Sequence, residues 1–265
     1  MRYAFWNINK NSINNYISSL VMDNRINVLI LSEYDRLEVS NLMDKLHFNL
    51  VPSAGCEELV ILSDADSFEM GSQEPRFSIQ IVNKDYLLCT VHLASKLFDR
   101  EGDRRMLETE RLLSGINEIQ TEKNITEVVF VGDFNEDPYE KSILNIQGFH
   151  ALPSFKDLDN ETRMVESKTY RKFYNPMWNL LGDRDGVPGT FYYGNSSSLA
   201  ESYWHMLDQV IISKGLYNRF CFKELKIITE TSEGPLIKDN GRPNECISDH
   251  LPIVFEIGDN TSERF

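Results

Sequence analysis

Eight side chains able to hold a metal ion or move a proton stand at or just beyond the ends of short apolar runs: Asn7, Glu33, His92, Asp133, Asn135, Asp208, Asp249 and His250. Carboxylates and amides offer the hard oxygen atoms that divalent cations such as Mg2+ take. Imidazoles give or take protons near neutral pH. Each residue alone has an ordinary explanation. Asp133 and Asn135, in Gly132-Asp133-Phe134-Asn135, are common turn formers. A lone His92 at a strand end is a satisfied histidine, and Asp208 a buried, hydrogen-bonded acid. Their recurrence at one strand end after another points to chemistry, because α/β sheets bind ligands at the carboxyl ends of their strands.

The elements that must carry these residues are legible as runs. Tyr3 to Ile8, Val28 to Leu31 and Leu59 to Leu62 read as buried strands. Phe77, Ile79 and Ile81 alternate with polar residues, and Tyr86 to Val91 follows after Asn83-Lys84-Asp85, predicting an antiparallel pair. Val128 to Val131 is a strand that Gly132 is expected to end by turning the backbone. Further strands are expected at Thr190 to Tyr193, Leu207 to Ile212, Lys226 to Thr229 and Ile253 to Ile257. Helical spacing appears from Ile13 behind Ser12 as cap, over Val39 to Leu46, from Met106 to Ile119, and after the Asp137-Pro138 cap to about Asn145. Residues 150–189 read as a long ordered loop, followed near 194–198 by a Gly-Asn-Ser-Ser-Ser loop. Arg100, Arg104, Arg105 and Arg111 gather near the start of the third helix, where Glu101, Glu108 and Glu110 predict a solvated, paired face for most of them.

The 265 residues contain no internal repeat, low-complexity tract or Pro/Gly-rich linker, so one domain over 1–265 is the expectation. A net charge of −14 argues against a protein that coats nucleic acid by general attraction to phosphates. The four cysteines, Cys56, Cys89, Cys221 and Cys246, form no Cys-x-x-Cys pair and read as reduced thiols. With no signal peptide pattern and no apolar run near ~18 residues, a cytoplasmic protein without a membrane span is expected.

In chain order, Trp6-Asn7-Ile8-Asn9, Ser32-Glu33, Thr90-Val91-His92, Gly132-Asp133-Phe134-Asn135, Leu207-Asp208-Gln209 and Ser248-Asp249-His250 resemble the endonuclease/exonuclease/phosphatase (DNase I-like) superfamily. The resemblance runs from residue 3 to residue 257, and the tract from Thr190 to Ser213 resembles bacterial members. It implies an α/β fold: a four-layer sandwich of two packed, mostly antiparallel sheets flanked by helices. It also implies hydrolysis of phosphoesters with Mg2+, for which Mn2+ can substitute. Asn7, Glu33 and Asp249 would then lie at the metal. Asp133 would handle the attacking water, with Asn135 on the phosphate or that water. His250, held protonated by Asp208, would donate to the phosphate. His92 would be a second histidine beside it, with Glu58 as its carboxylate partner.

The resemblance implies a nucleic acid substrate first, DNA or RNA, and a small-molecule or lipid-headgroup phosphoester as the alternative. Some nucleases of the superfamily carry Arg or Lys just before the aspartate matching Asp208, whereas Met206 and Leu207 precede it here. No basic DNA-contacting loop is evident. A non-catalytic binding module on the same scaffold ranks third, because no position of the set is missing.

Overall fold

The computed structural model describes residues 1–97, 99, 101–184, 186–194 and 202–258. Its first strands are β1 (Arg2–Asn7), β2 (Val28–Ser32), β3 (Asn49–Leu50) and β4 (Leu59–Ser63). Next come β5 (Phe68–Glu74), β6 (Phe77–Val82), β7 (Tyr86–His92), β8 (Glu127–Asp133) and β9 (Ala151–Leu152). A small hairpin, β10 (Thr162–Val165) and β11 (Lys168–Arg171), precedes β12 (Phe173–Tyr174). A second one, β13 (Phe191–Tyr192) and β14 (Trp204–His205), precedes β15 (Asp208–Ile212). The chain ends through β16 (Lys226–Ile227), β17 (Glu230–Thr231), β18 (Gly234–Pro235) and β19 (Ile253–Glu256). The α-helices are α1 (Asn14–Asn24), α2 (Val39–Leu46), α3 (Asp103–Lys123) and the single turn α4 (Lys141–Leu144).

Two sheets result. One has six strands in the order β16-β19-β1-β2-β4-β3, the other seven in the order β5-β6-β7-β8-β15-β12-β9. The pairs β1–β2, β7–β8 and β9–β12 are parallel, and the remaining neighbours are antiparallel.

Period-two alternation decides which side chain meets which layer. Tyr3 and Phe5 of β1 join Leu88, Val129, Val131, Val210 and Ile212 in the core between the sheets. Ala4 and Trp6 point the other way, onto Ile17, Leu20 and Leu42 of α1 and α2. Ile79, Cys89, Val128 and Phe130 pack outward against Leu112 and Ile116 of α3 and Ile143 of α4. The layers are therefore helix, sheet, sheet, helix, as the family resemblance implies.

Several local expectations change. Helix α1 is preceded by Ile13 with no side-chain cap, so Ser12 does not cap it. The turn between β6 and β7 places both Asn83 and Lys84 at positive φ, the paired left-handed geometry that a tight antiparallel hairpin favours. Helix α4 is shorter than expected. Asp137 does not cap it: its carboxylate turns back to the Met206 amide and the His205 ring. Residues 150–189 are no structureless loop, since they hold β9 to β12 and two 3-10 turns. The strands at Thr190 to Tyr193 and Lys226 to Thr229 each shorten to two residues. Strand β5, half exposed, was not foreseen. Arg105 is buried rather than solvated, held by Glu136 at 2.9 Å and Asp99 at 3.6 Å. Arg100 and residues 195–198 of the expected polar loop lie outside the described residues.

Gly132 also plays a different part. It lies inside β8, opposite Val91 on one side and Gln209 on the other. Its φ is 151°, and a Cβ there would lie 1.9 Å from the Val91 carbonyl oxygen. Glycine is needed for close approach of β7 and β8, not for a turn. Gly132→Ala should therefore lower unfolding free energy by about 2–3 kcal/mol, read from the midpoint of urea denaturation.

Candidate active site

The alternation that fills the inner core also builds the site. Asn7 follows Tyr3 and Phe5 on the inner face of β1; His92 follows Leu88 and Thr90 on β7. Asp133 follows Val129 and Val131 on β8, and Asp208 precedes Val210 and Ile212 on β15. His92 and Asp208 are the register partners of Asp133 on its two flanking strands. One end of the inner core is thus closed by polar side chains instead of apolar ones. Glu33, one residue beyond the inner-face Ser32, should project to the opposite face in an extended chain. Its φ of 53° puts it in the left-handed region and returns it to the site.

Asp133 is the centre. Asn7 donates from Nδ2 to its Oδ2 at 3.1 Å and also to Glu33 Oε1 at 3.3 Å. The Nε2 atoms of His92 and His250 approach the same Asp133 oxygen at 3.8 and 3.9 Å. The other oxygen accepts the Asn135 backbone N–H at 2.8 Å. Asn135, at φ 52°, spends one side-chain N–H on the Leu93 carbonyl. Burial raises the Asp133 carboxyl above its ordinary range and Asp208 adds to this, while the two histidines and the Asn135 amide pull the other way.

His250 Nδ1 bonds Asp208 Oδ2 at 2.8 Å, which leaves Nε2 facing Asp133. Burial alone would lower the pKa of this imidazole. Asp208, with Asp133 and Asp249, outweighs it and raises it to about 10, so His250 is a cation at neutral pH. His92 is also raised: burial depresses it, but Glu58, Asp133 and Glu33 more than compensate. Glu58 stands 3.5 Å from His92 Nδ1, an ion-pair separation rather than a well-formed hydrogen bond.

Asp133, Asp208 and His250 offer potential ligand atoms within 4.8 Å of one another, a cluster able to hold a metal ion. In that trio, however, His250 Nδ1 and Asp208 Oδ2 already satisfy each other. Asp208 Oδ1 is left buried with no hydrogen-bond partner, and so is Asp249 Oδ1 in a second group of oxygen donors. Burial first, then Glu33 and Asp133, raise the Asp249 carboxyl despite the His250 cation. Carboxylates gathered in this way fit a divalent cation, which would offset their mutual repulsion. Asn7 presents its N–H side to Glu33 and Asp133, and its Oδ1 accepts the Asn9 amide at 3.0 Å.

The structure therefore brings together Asn7, Glu33, Glu58, His92, Asp133, Asn135, Asp208, Asp249 and His250. Sequence reasoning missed the residues that brace them. Ser248 donates to the Asn7 carbonyl at 2.7 Å and accepts the His250 N–H at 3.0 Å. Trp6 Nε1 donates to the His250 carbonyl at 2.9 Å. Thr190 accepts the Asp208 N–H, and the Phe191 ring lies 4.8 Å from the His250 ring. A second pair, the buried Asp137 and the half-buried His205 at 2.7 Å, stands beside the first. Gln209, from β15, donates to the Glu136 carbonyl at 2.6 Å and accepts from Asn175 at 2.7 Å. Ser248 and Trp6 sit inside the quoted motifs and were open to notice. Asp137 and His205 are 68 residues apart and only the fold pairs them.

Solved structures share this architecture. An endonuclease/exonuclease/phosphatase family protein from Bacteroides thetaiotaomicron aligns with a TM-score of 0.61 and 14% identity, over 100% of this chain and 97% of its own. A mannosyl-6-phosphatase from the same organism aligns with a TM-score of 0.59 and 15% identity, over 98% and 100%. Danio rerio TDP2, complexed with a single-strand DNA product, aligns with a TM-score of 0.59 and 17% identity, over 98% and 99%. The fold is DNase I-like. No family model matches the sequence, and no curated protein matches it either. No helix among the described residues is long and apolar enough to cross a membrane.

The Asp137–His205 pair provides a test of how the site is braced. Burial alone would raise the Asp137 carboxyl, but the His205 ring and the Met206 amide hold it below its ordinary range. Its stabilising contribution is complete above the unfolded pKa of about 3.9 and fades as pH falls through the lower folded value. Asp137→Ala should cost about 1–3 kcal/mol at neutral pH by leaving the buried Met206 amide and the half-buried His205 ring without their acceptor. The gap from wild type should shrink in acid, as urea midpoints measured across pH would record.

Proposed function

We propose that this chain is a Mg2+-dependent phosphoesterase that hydrolyses phosphodiester bonds, with nucleic acid as its substrate class and Mn2+ able to replace Mg2+. It would act as one catalytic domain. The observation that carries the reading is the convergence of Asn7, His92 and His250 on one buried carboxylate, Asp133, with oxygen donors beside it. The nucleic acid reading is supported by the DNA-bound TDP2 neighbour.

Asp133, its carboxyl raised by burial, accepts a proton from the attacking water as the water oxygen bonds to phosphorus. Asn135, fixed to Leu93 and Asp133, orients that water or the phosphate. His250, charged through Asp208, donates from Nε2 to a phosphate oxygen and stabilises charge in the transition state. The bond from phosphorus to the leaving oxygen breaks, and His92, oriented by Glu58, gives that oxygen its proton. Glu33 and Asp249 would hold the metal, with Asn7 beside them. The metal would supply Lewis acidity and neutralise charge on the departing oxygen.

A second reading keeps this chemistry and changes the substrate to a small-molecule or lipid-headgroup phosphoester. The acidic charge of −14 and the sugar phosphatase among the structural neighbours favour it.

Hydrolysis should be lost with EDTA and return with Mg2+ in a screen of single- and double-stranded DNA, RNA, sugar and inositol phosphates, and sphingomyelin. Turnover of soluble phosphoesters without any nucleic acid cleavage would decide for the second reading. Asp133→Asn and His250→Ala should each lower turnover by about a thousandfold with the circular dichroism spectrum unchanged. Near-native turnover in either would remove the assigned roles. Mg2+ should also raise the melting temperature of wild type, and Glu33→Gln and Asp249→Asn should abolish that rise.

A further inference from the structure

The turn joining β5 to β6 grips both members of the Glu58–His92 pair. The Pro75 carbonyl accepts the Glu58 backbone N–H at 3.0 Å. The Arg76 carbonyl accepts the His92 backbone N–H at 2.9 Å. The Arg76 side chain repeats the pattern: Nη1 donates to the His92 carbonyl at 3.1 Å, and Nη2 lies 3.8 Å from Glu58 Oε1. The other Glu58 oxygen faces His92 Nδ1. Behind the guanidinium stands Glu108 of α3, 3.7 Å from Arg76 Nε. Glu108 is itself anchored, by the Ala94 amide at 2.9 Å and by Arg104 Nε at 3.2 Å on the oxygen that faces Arg76.

We propose that Arg76 is a positioning residue for His92, acting through Glu58 and through the His92 main chain. The proposal rests on the phosphoesterase reading above, in which His92 protonates the leaving oxygen.

An isolated pair as open as Arg76 and Glu58, with side chains 24% and 37% exposed, would contribute little. This one differs in geometry. A guanidinium has several donors in a rigid plane, so it can reach a carbonyl and a carboxylate together. With Glu108 holding it from the far side, Arg76 has few other places to go. Glu58 is thereby kept on Nδ1, and the ring must present Nε2 to Glu33 and Asp133, which lie 3.7 and 3.8 Å away. Without Arg76, Glu108 keeps Arg104 at 3.2 Å, but the Glu58 carboxylate loses the guanidinium beside it. Glu58 is then free to leave the ring.

The test is a double-mutant cycle of Arg76→Gln and Glu58→Gln, with Arg76→Lys as the conservative control. Probes are a 5′-labelled single-stranded DNA oligonucleotide and bis(p-nitrophenyl) phosphate, both with Mg2+. Arg76→Gln should lower kcat by about ten- to a hundredfold, as expected for misplacing a reacting group, with KM nearly unchanged. The double variant should be no slower than Glu58→Gln alone, and Arg76→Lys should recover part of the loss. Multiplying losses, an unchanged kcat, or a raised KM at constant kcat would overturn the proposal, the last by making Arg76 a substrate contact. Should Arg76→Gln fail to fold, the cycle runs with Arg76→Lys. Ring 15N shifts of His92 in alkaline solution, without substrate, provide a readout independent of activity. The proton should reside on Nδ1 in wild type and be shared between the nitrogens in Arg76→Gln; identical shifts would overturn the proposal. A wild type that hydrolyses neither probe nor any phosphoester of the screen above removes the phosphoesterase reading, and the ring shifts still judge Arg76.

Discussion

A carboxylate buried as fully as that of Asp133 is costly to keep charged, and much of the surrounding structure answers that cost. The inner core of the sandwich runs up to it along β8 and excludes water. Its compensation comes from an amide on β1, a histidine on β7, a histidine before β19 and the backbone amide of Asn135. These partners belong to both sheets. The site therefore exists only when the sheets are packed, and its electrostatics tie the two halves of the sandwich together.

A second set of buried polar groups holds the first in place. Arg105 links α3 to Glu136, and Glu136 accepts the backbone and hydroxyl of Ser142 at 2.6 and 2.7 Å. Gln209 joins β15 to the Glu136 carbonyl, and Asp137 joins the same segment to Met206 and His205. The segment after Asp133 is thus clamped to the strand that carries Asp208. Two carboxylates close to two histidines keep their geometry because their supports are buried and satisfied, which limits rearrangement.

The net charge of −14 and the chemistry of the site are distinct matters. Long-range attraction of a polyanion gains nothing from such a surface. Close contacts at the site obey local rules instead. His250 is charged because three carboxylates surround it, and burial with Glu33 and Asp133 raises the Asp249 carboxyl.

The ordered motifs carried the layered fold through their resemblance to a known superfamily, while period-two alternation and strand-end polarity, being local properties, carried the strands and the face on which each polar residue stands. Apolar residues at 3 and 5, or 129 and 131, place Asn7 and Asp133 on the same kind of face whatever the rest of the chain does. Features that depend on contacts between distant segments were not legible. Gly132 looked like a turn and is a point of close approach, because the Val91 carbonyl that requires it comes from another strand. Arg105 looked solvated and is buried, because Glu136 and Asp99 reach it only after α3 has docked. Residues 150–189 looked like loop because two-residue strands depend on neighbours supplied by the sheet edge. The sequence by itself determined which side chains end the strands and on which face. Only the tertiary structure decided which of them touch, how Glu33 returns to the site through a left-handed backbone, and how Arg76 and Asp137 find their partners, because those distances arise from packing rather than from spacing along the chain.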